Sequence, residues 1–121
     1  MVLVAVDDFL FRSKIRTTGK QAGVELVFAQ SSQDVLDQTR ALKPTLVIFD
    51  LNSSKLEPMT TIAAIKQDPA LSGVRTLGFV SHVDADAISA ARHAGTDQVM
   101  ARSAFAAQLA EILIAGGTGP A

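Results

Sequence analysis

Apolar residues fall along this chain in two alternating patterns. Short unbroken runs occur at Val2-Leu3-Val4-Ala5-Val6, Val24 to Phe28, Thr45-Leu46-Val47-Ile48-Phe49, Arg75 to Val80 and Asp97 to Ala101. Runs of this length, rich in β-branched and aromatic residues, predict strands buried on both faces, as in a parallel sheet. Between them the apolar positions recur at helical spacing. Phe11, Ile15, Thr18 and Ala22 predict a helix over Phe9 to Gln21, with Gly23 at its end. Val35, Leu36, Thr39 and Leu42 predict a second helix, capped by Ser31 or Ser32 and closed by Pro44. Pro58 suits a first helical position, with Met59, Ile62, Ala63 and Ile65 as the inner face and Asp68-Pro69 as the stop. An alanine-rich helix follows from about Asp84 to Ala94, ending at Gly95, and Phe105, Leu109, Ile112 and Leu113 mark the last one.

Five strands alternating with five helices through short loops imply right-handed crossovers and a doubly wound α/β fold. Residues 1–115 form the expected domain, and 116–121, rich in glycine and proline, a flexible C-terminal tail. At 121 residues the chain is long enough for a self-sufficient core.

Composition narrows the chemistry. Apolar residues make up 48% of the chain, yet no run approaches the roughly 18 residues of a membrane span. Met1 leads straight into a strand without a basic leader, so a cytoplasmic protein is expected. Cysteine is absent, which excludes disulfides and thiolate chemistry, and two histidines leave little for zinc. A hard, oxygen-ligated metal remains open. A net charge of −1 and the absence of Trp and Tyr give no sign of nucleic-acid binding.

The candidate chemistry lies where strands end. Asp50 closes the most apolar strand, and Asp7-Asp8 follow the first. A charged carboxylate is costly inside such a strand, so these residues are placed at the carboxyl ends, where open α/β sheets bind ligands. Three carboxylates then share one pocket, and a divalent oxygen-seeking cation would relieve their repulsion.

With this arrangement the chain resembles the receiver domain of bacterial two-component response regulators. The resemblance runs from Val2 to about Leu113. It rests on Asp7-Asp8 after strand one, Asp50 after strand three, Ser81 after strand four, and the phrases Ala41-Leu42-Lys43-Pro44 and Asp68-Pro69-Ala70-Leu71. It implies the flavodoxin-like (βα)5 fold with strand order 2-1-3-4-5. It further implies that Asp50 accepts a phosphoryl group from a sensor histidine kinase, a phosphotransfer protein or a small donor such as acetyl phosphate. Mg²⁺ would be held by Asp8, by Asp7 through water, by Asp50 and by the backbone carbonyl of Asn52. Ser81 would contact a phosphoryl oxygen. Such a module is not an enzyme beyond self-phosphorylation and autodephosphorylation. It would act through a downstream partner protein, with a homodimer through helix 4, strand 5 and helix 5 as a further option and no part for nucleic acid or membrane.

The chain also departs from the family. Arg102-Ser103 stands where the family has lysine followed by a cis proline. Arginine is a planar fork rather than a point charge, and a trans bond is expected, since cis before serine would cost roughly 2.5–4 kcal/mol. Val99 replaces the aromatic switch residue, Ser53-Ser54-Lys55-Leu56-Glu57-Pro58 replaces the usual loop, and His82 stands at the entrance. These departures support an alternative, a pseudo-receiver that binds partners without being phosphorylated. A hydrolase of the haloacid dehalogenase type would need a second carboxylate two residues after the nucleophile as general acid; that position is Asn52. The basic residues Arg12, Lys14, Arg16 and Lys20 of the first helix read as a solvated face, and Ala87, Ala90, Ala91 and Ala94 as core packing or a contact face.

Overall fold

The computed structural model describes residues 1–81 and 84–117. The elements follow in the order β1 (Val2–Ala5), α1 (Phe9–Ala22), β2 (Leu26–Phe28), α2 (Ser32–Leu42), β3 (Leu46–Asp50), α3 (Pro58–Gln67), a 3₁₀ turn (Pro69–Leu71), β4 (Arg75–Val80), α4 (Ala85–His93), β5 (Gln98–Ala101), α5 (Arg102–Ala107) and α6 (Leu109–Gly117). All strand pairs are parallel and the sheet order is β2-β1-β3-β4-β5, as expected.

Strand alternation divides the core into two layers. Leu3, Ala5, Val47 and Phe49 face Val35, Ile62, Ile65 and Ala91 of α2, α3 and α4. Val2, Val4 and Ile48 face Phe11, Ile15, Phe105, Leu109 and Leu113 of α1, α5 and α6. Within the second layer Phe79 stacks on Phe105 at 4.7 Å between ring centroids, and Phe11 meets Phe79 edge-on at 5.2 Å. Such aromatic pairs add to the stabilisation from area burial alone.

The element boundaries move for local reasons. Strand two begins at Leu26 rather than Val24 because the end of α1 consumes Val24: Gly23 is left-handed (φ 71°), and the Val24 N–H donates to the Gly19 carbonyl. Strand five begins at Gln98 rather than Asp97, whose carboxylate accepts the Thr76 N–H and hydroxyl and pairs with Lys66. The single last helix is instead two, broken at Gln108 (φ −107°, ψ 13°), so there are six helices rather than five among the described residues. The apolar face continues through the break, with Phe105 and Leu109 both buried. Gly116 and Gly117, assigned to the tail on composition, are the last residues of α6. Gly116 is buried against Leu46, where a Cβ would collide with the leucine side chain. Residues 118–121, the rest of the expected tail, lie outside the described residues.

Candidate functional site

The carboxyl ends of β1, β3, β4 and β5 frame the site. At the end of β1, Asp8 is the N-cap of α1, and its Oδ1 accepts the Phe11 N–H at 3.1 Å. Asp7 beside it is exposed. Asp50 is the last residue of β3, opposite Phe79, and is only 6% exposed. Its Oδ1 accepts the Asn52 N–H at 3.0 Å. The Asn52 side chain in turn accepts the Ser81 N–H at 2.7 Å, tying the loop after β3 to the end of β4.

Arg102 completes the constellation. It is the first residue of α5, directly after β5. Its Nη2 donates to Asp8 Oδ2 at 3.0 Å, and Nη1 makes a long 3.5 Å contact to the Ser81 hydroxyl oxygen. The guanidinium lies 4.3 Å from the centre of the Phe11 ring, an arrangement in which the ring face attracts the cation. The sequence-predicted cation thus points into the site, and the Arg102–Ser103 bond is trans, with no cis peptide among the described residues.

The two carboxylates differ electrically. The Phe11 N–H and the Arg102 guanidinium hold Asp8 below the ordinary carboxylate range. Burial pushes Asp50 up; the Asn52 N–H opposes the shift, the charges of Asp7 and Asp8 add to it, and Arg102 offsets part of it. Asp50 therefore ionises at higher pH than Asp8.

The donors suit a hard cation, since Asp7, Asp8 and Asp50 offer only oxygen. The repulsion that Asp7 and Asp8 exert on Asp50 is a reason for such a cation to enter. As arranged, however, no group of three His, Asp or Glu side chains among the described residues is gathered to hold an ion. Asp8 is spent on Phe11 and Arg102.

Other candidates fall in varied places. Ser81 is exposed beside Arg102, and His82 lies outside the described residues. Val99 is half-buried against the α2–α4 side of the core, so β5 carries no aromatic switch. Arg12 and Arg16 are more than a solvated face: their guanidiniums lie over Phe28 at 5.4 and 4.5 Å. Ala87, Ala91 and Ala94 pack into the core, whereas Ala90 is exposed. Sequence reasoning missed the stacking of Arg102 on Phe11 and the side-chain bridge from Asn52 to Ser81. An asparagine two residues after the strand-end aspartate was the one available signal for the bridge.

No family profile matches the chain, and no curated protein matches it. Solved structures do. The response regulator from Hahella chejuensis superimposes with a TM-score of 0.82 at 18% identity, covering 97% of this chain and 95% of that one. The phosphorylated cyanobacterial phytochrome response regulator RcpA gives 0.73 at 21% identity, covering 99% and 98%. The Mn²⁺-bound form of the response regulator Rcp1 gives 0.74 at 17%, covering 99% and 96%. Together with the 2-1-3-4-5 sheet, these similarities establish that the chain has the response-regulator receiver fold.

Proposed function

We propose that this chain is a receiver-type signalling module that accepts a phosphoryl group on Asp50. The observation that carries the reading is the placement of a nearly buried Asp50 at the mouth of the central strand, with Asp7, Asp8, Ser81 and Arg102 around it. Asn52 N–H holds Asp50 Oδ1, which leaves Oδ2 to attack phosphorus. A P–O bond forms to Asp50 as the bond to the donor breaks, and acetate or the donor's imidazole leaves with its electron pair. Phosphoryl transfer of this kind depends mainly on positioning and charge stabilisation. Arg102 and the Ser81 hydroxyl, in long contact with each other, would donate to the incoming phosphoryl oxygens. Mg²⁺, held by Asp8, Asp50 and the Asn52 carbonyl with Asp7 acting through water, would offset the charge on the transferring group. Other chemistry at Asp50 is limited to loss of the same phosphoryl group to water.

The donor in this reading is a sensor histidine kinase or a phosphotransfer protein, and the output passes to a partner protein. The surface of α4, β5 and the predicted last helix, divided into α5 and α6, is where a second copy would pair. The setting is the cytoplasm; among the described residues no helix is long and apolar enough to cross a membrane. One observation favours a second reading, a pseudo-receiver that signals by binding alone: Asp8 already has its cation in Arg102.

Intact-mass measurement after incubation with acetyl phosphate and Mg²⁺, on wild type and Asp50→Ala, separates the two. The proposal expects a gain of one phosphoryl group that needs Mg²⁺ and is absent from the variant. No gain from either acetyl phosphate or a panel of histidine kinases would favour the pseudo-receiver.

A further inference from the structure

We propose that Arg102 is a built-in counter-ion of the acidic pocket, one that a divalent cation must displace from Asp8 in order to bind. The inference rests on the phosphoacceptor reading only in requiring that a divalent cation enter.

Both oxygens of Asp8 are committed. Oδ1 holds the Phe11 N–H and Oδ2 holds the Arg102 guanidinium. Each oxygen keeps a further lone pair, but a cation that takes Asp8 as a ligand is brought against the positive guanidinium that shares the same carboxylate. The Phe11 N–H is backbone within the first turn of α1 and cannot withdraw without fraying the helix. Arg102 acts through a long side chain, and the pair is about one-third exposed on each side, so the guanidinium is the partner that yields. It has somewhere to go. The ring of Phe11 and the Ser81 hydroxyl keep it at the mouth of the pocket, and Asp50 attracts it.

The charge count points the same way. One guanidinium against three carboxylates leaves a net charge of about −2 that attracts a dication, and a dication on Asp8 repels the guanidinium that shares that carboxylate. A lysine at position 102 would act as a point charge; the arginine fork can bind Asp8 while its flat face stacks on Phe11. The pairing therefore opposes metal binding in the resting domain and releases a cation toward Asp50 when metal arrives. Cation loading and the position of Arg102 become one coupled event.

The direct test follows the ¹⁵N side-chain resonances of Arg102 in the wild-type protein during titration with Mg²⁺ alone. Calorimetric Mg²⁺ titrations of wild type and Arg102→Gln run beside it, with circular dichroism to confirm that the variant is folded. The proposal expects the guanidinium signals to leave their Asp8-bound position as Mg²⁺ saturates. It also expects Arg102→Gln to bind Mg²⁺ about 1.5- to fivefold more tightly, the range that the worth of a partly exposed ion pair converts to. Mg²⁺ binding to wild type with the Arg102 signals unmoved would overturn it, as would equal or weaker binding by the variant. In both cases the cation site of the phosphoacceptor reading would stand. No Mg²⁺ binding by either protein would overturn the displacement and the cation site together.

Discussion

Gly78 lies in the middle of β4, buried, with the side chain of Leu51 across it. A Cβ added at Gly78 would fall 2.7 Å from Cγ, Cδ1 and Cδ2 of Leu51. No ordinary contact is that short, and Leu51 is itself 5% exposed within the α2–α4 side of the core. Gly78→Ala therefore forces Leu51, the residue directly after Asp50, to shift. Overpacking of a filled core costs about 1–3 kcal/mol. Replacing a strand glycine with alanine returns about 0.5–1 kcal/mol of backbone entropy. The net expectation is a loss of up to about 2.5 kcal/mol, centred near 1 kcal/mol, or about 4 °C in Tm at that centre for a domain of this size. The chain has no Trp or Tyr, so unfolding in urea is best followed by circular dichroism. The midpoint should fall with the slope unchanged. Leu51→Ala alone should cost about 2–5 kcal/mol through its cavity, and in that background Gly78→Ala should become neutral or stabilising. Equal cost in both backgrounds would refute the argument, as would a Gly78→Ala protein at least as stable as wild type.

Three further outcomes are expected. Burial opposes ionisation of Asp97, but the Lys66 ammonium and the Thr76 donors overcome it and hold its carboxyl below the ordinary value. The stability this contributes is present above the unfolded carboxylate pKa and is lost as pH falls through the lowered folded value; Asp97→Asn should flatten that acid limb in pH-dependent urea melts. Burial raises Asp50, so its ionised form weighs against folding at neutral pH, and Asp50→Asn should raise Tm without divalent cation, the gain shrinking as pH falls through the folded pKa. Ser31 caps α2 by accepting the Asp34 N–H at 3.1 Å, and Ser31→Ala should cost about 1 kcal/mol in urea unfolding.

The fold was legible because local and global signals agree. Unbroken apolar runs such as Leu46 to Phe49, set between helical patterns, suit strands buried on both faces of a parallel sheet, and the cap at Gly23 stood out by residue type. The errors arose where side chains override pattern. Asp97 leaves the strand to bind Thr76 and Lys66, and α6 extends through two glycines because the first is needed against Leu46. At the site, position in the chain located Asp8, Asp50 and Ser81. The partnership of Arg102 with Asp8 and Phe11 spans more than 90 residues (|i−j| = 94 for the Asp8 pair), and no periodicity in the sequence encodes it.

The most direct test of the central claim asks where the phosphoryl group goes. Protein treated with acetyl phosphate and Mg²⁺ is quenched with borohydride, which reduces an aspartyl phosphate to homoserine, and its peptides are then sequenced by mass spectrometry. The account predicts homoserine at position 50, and none without Mg²⁺. Homoserine at another position, or intact aspartate at 50 after exposure to both small-molecule and kinase donors, would contradict it.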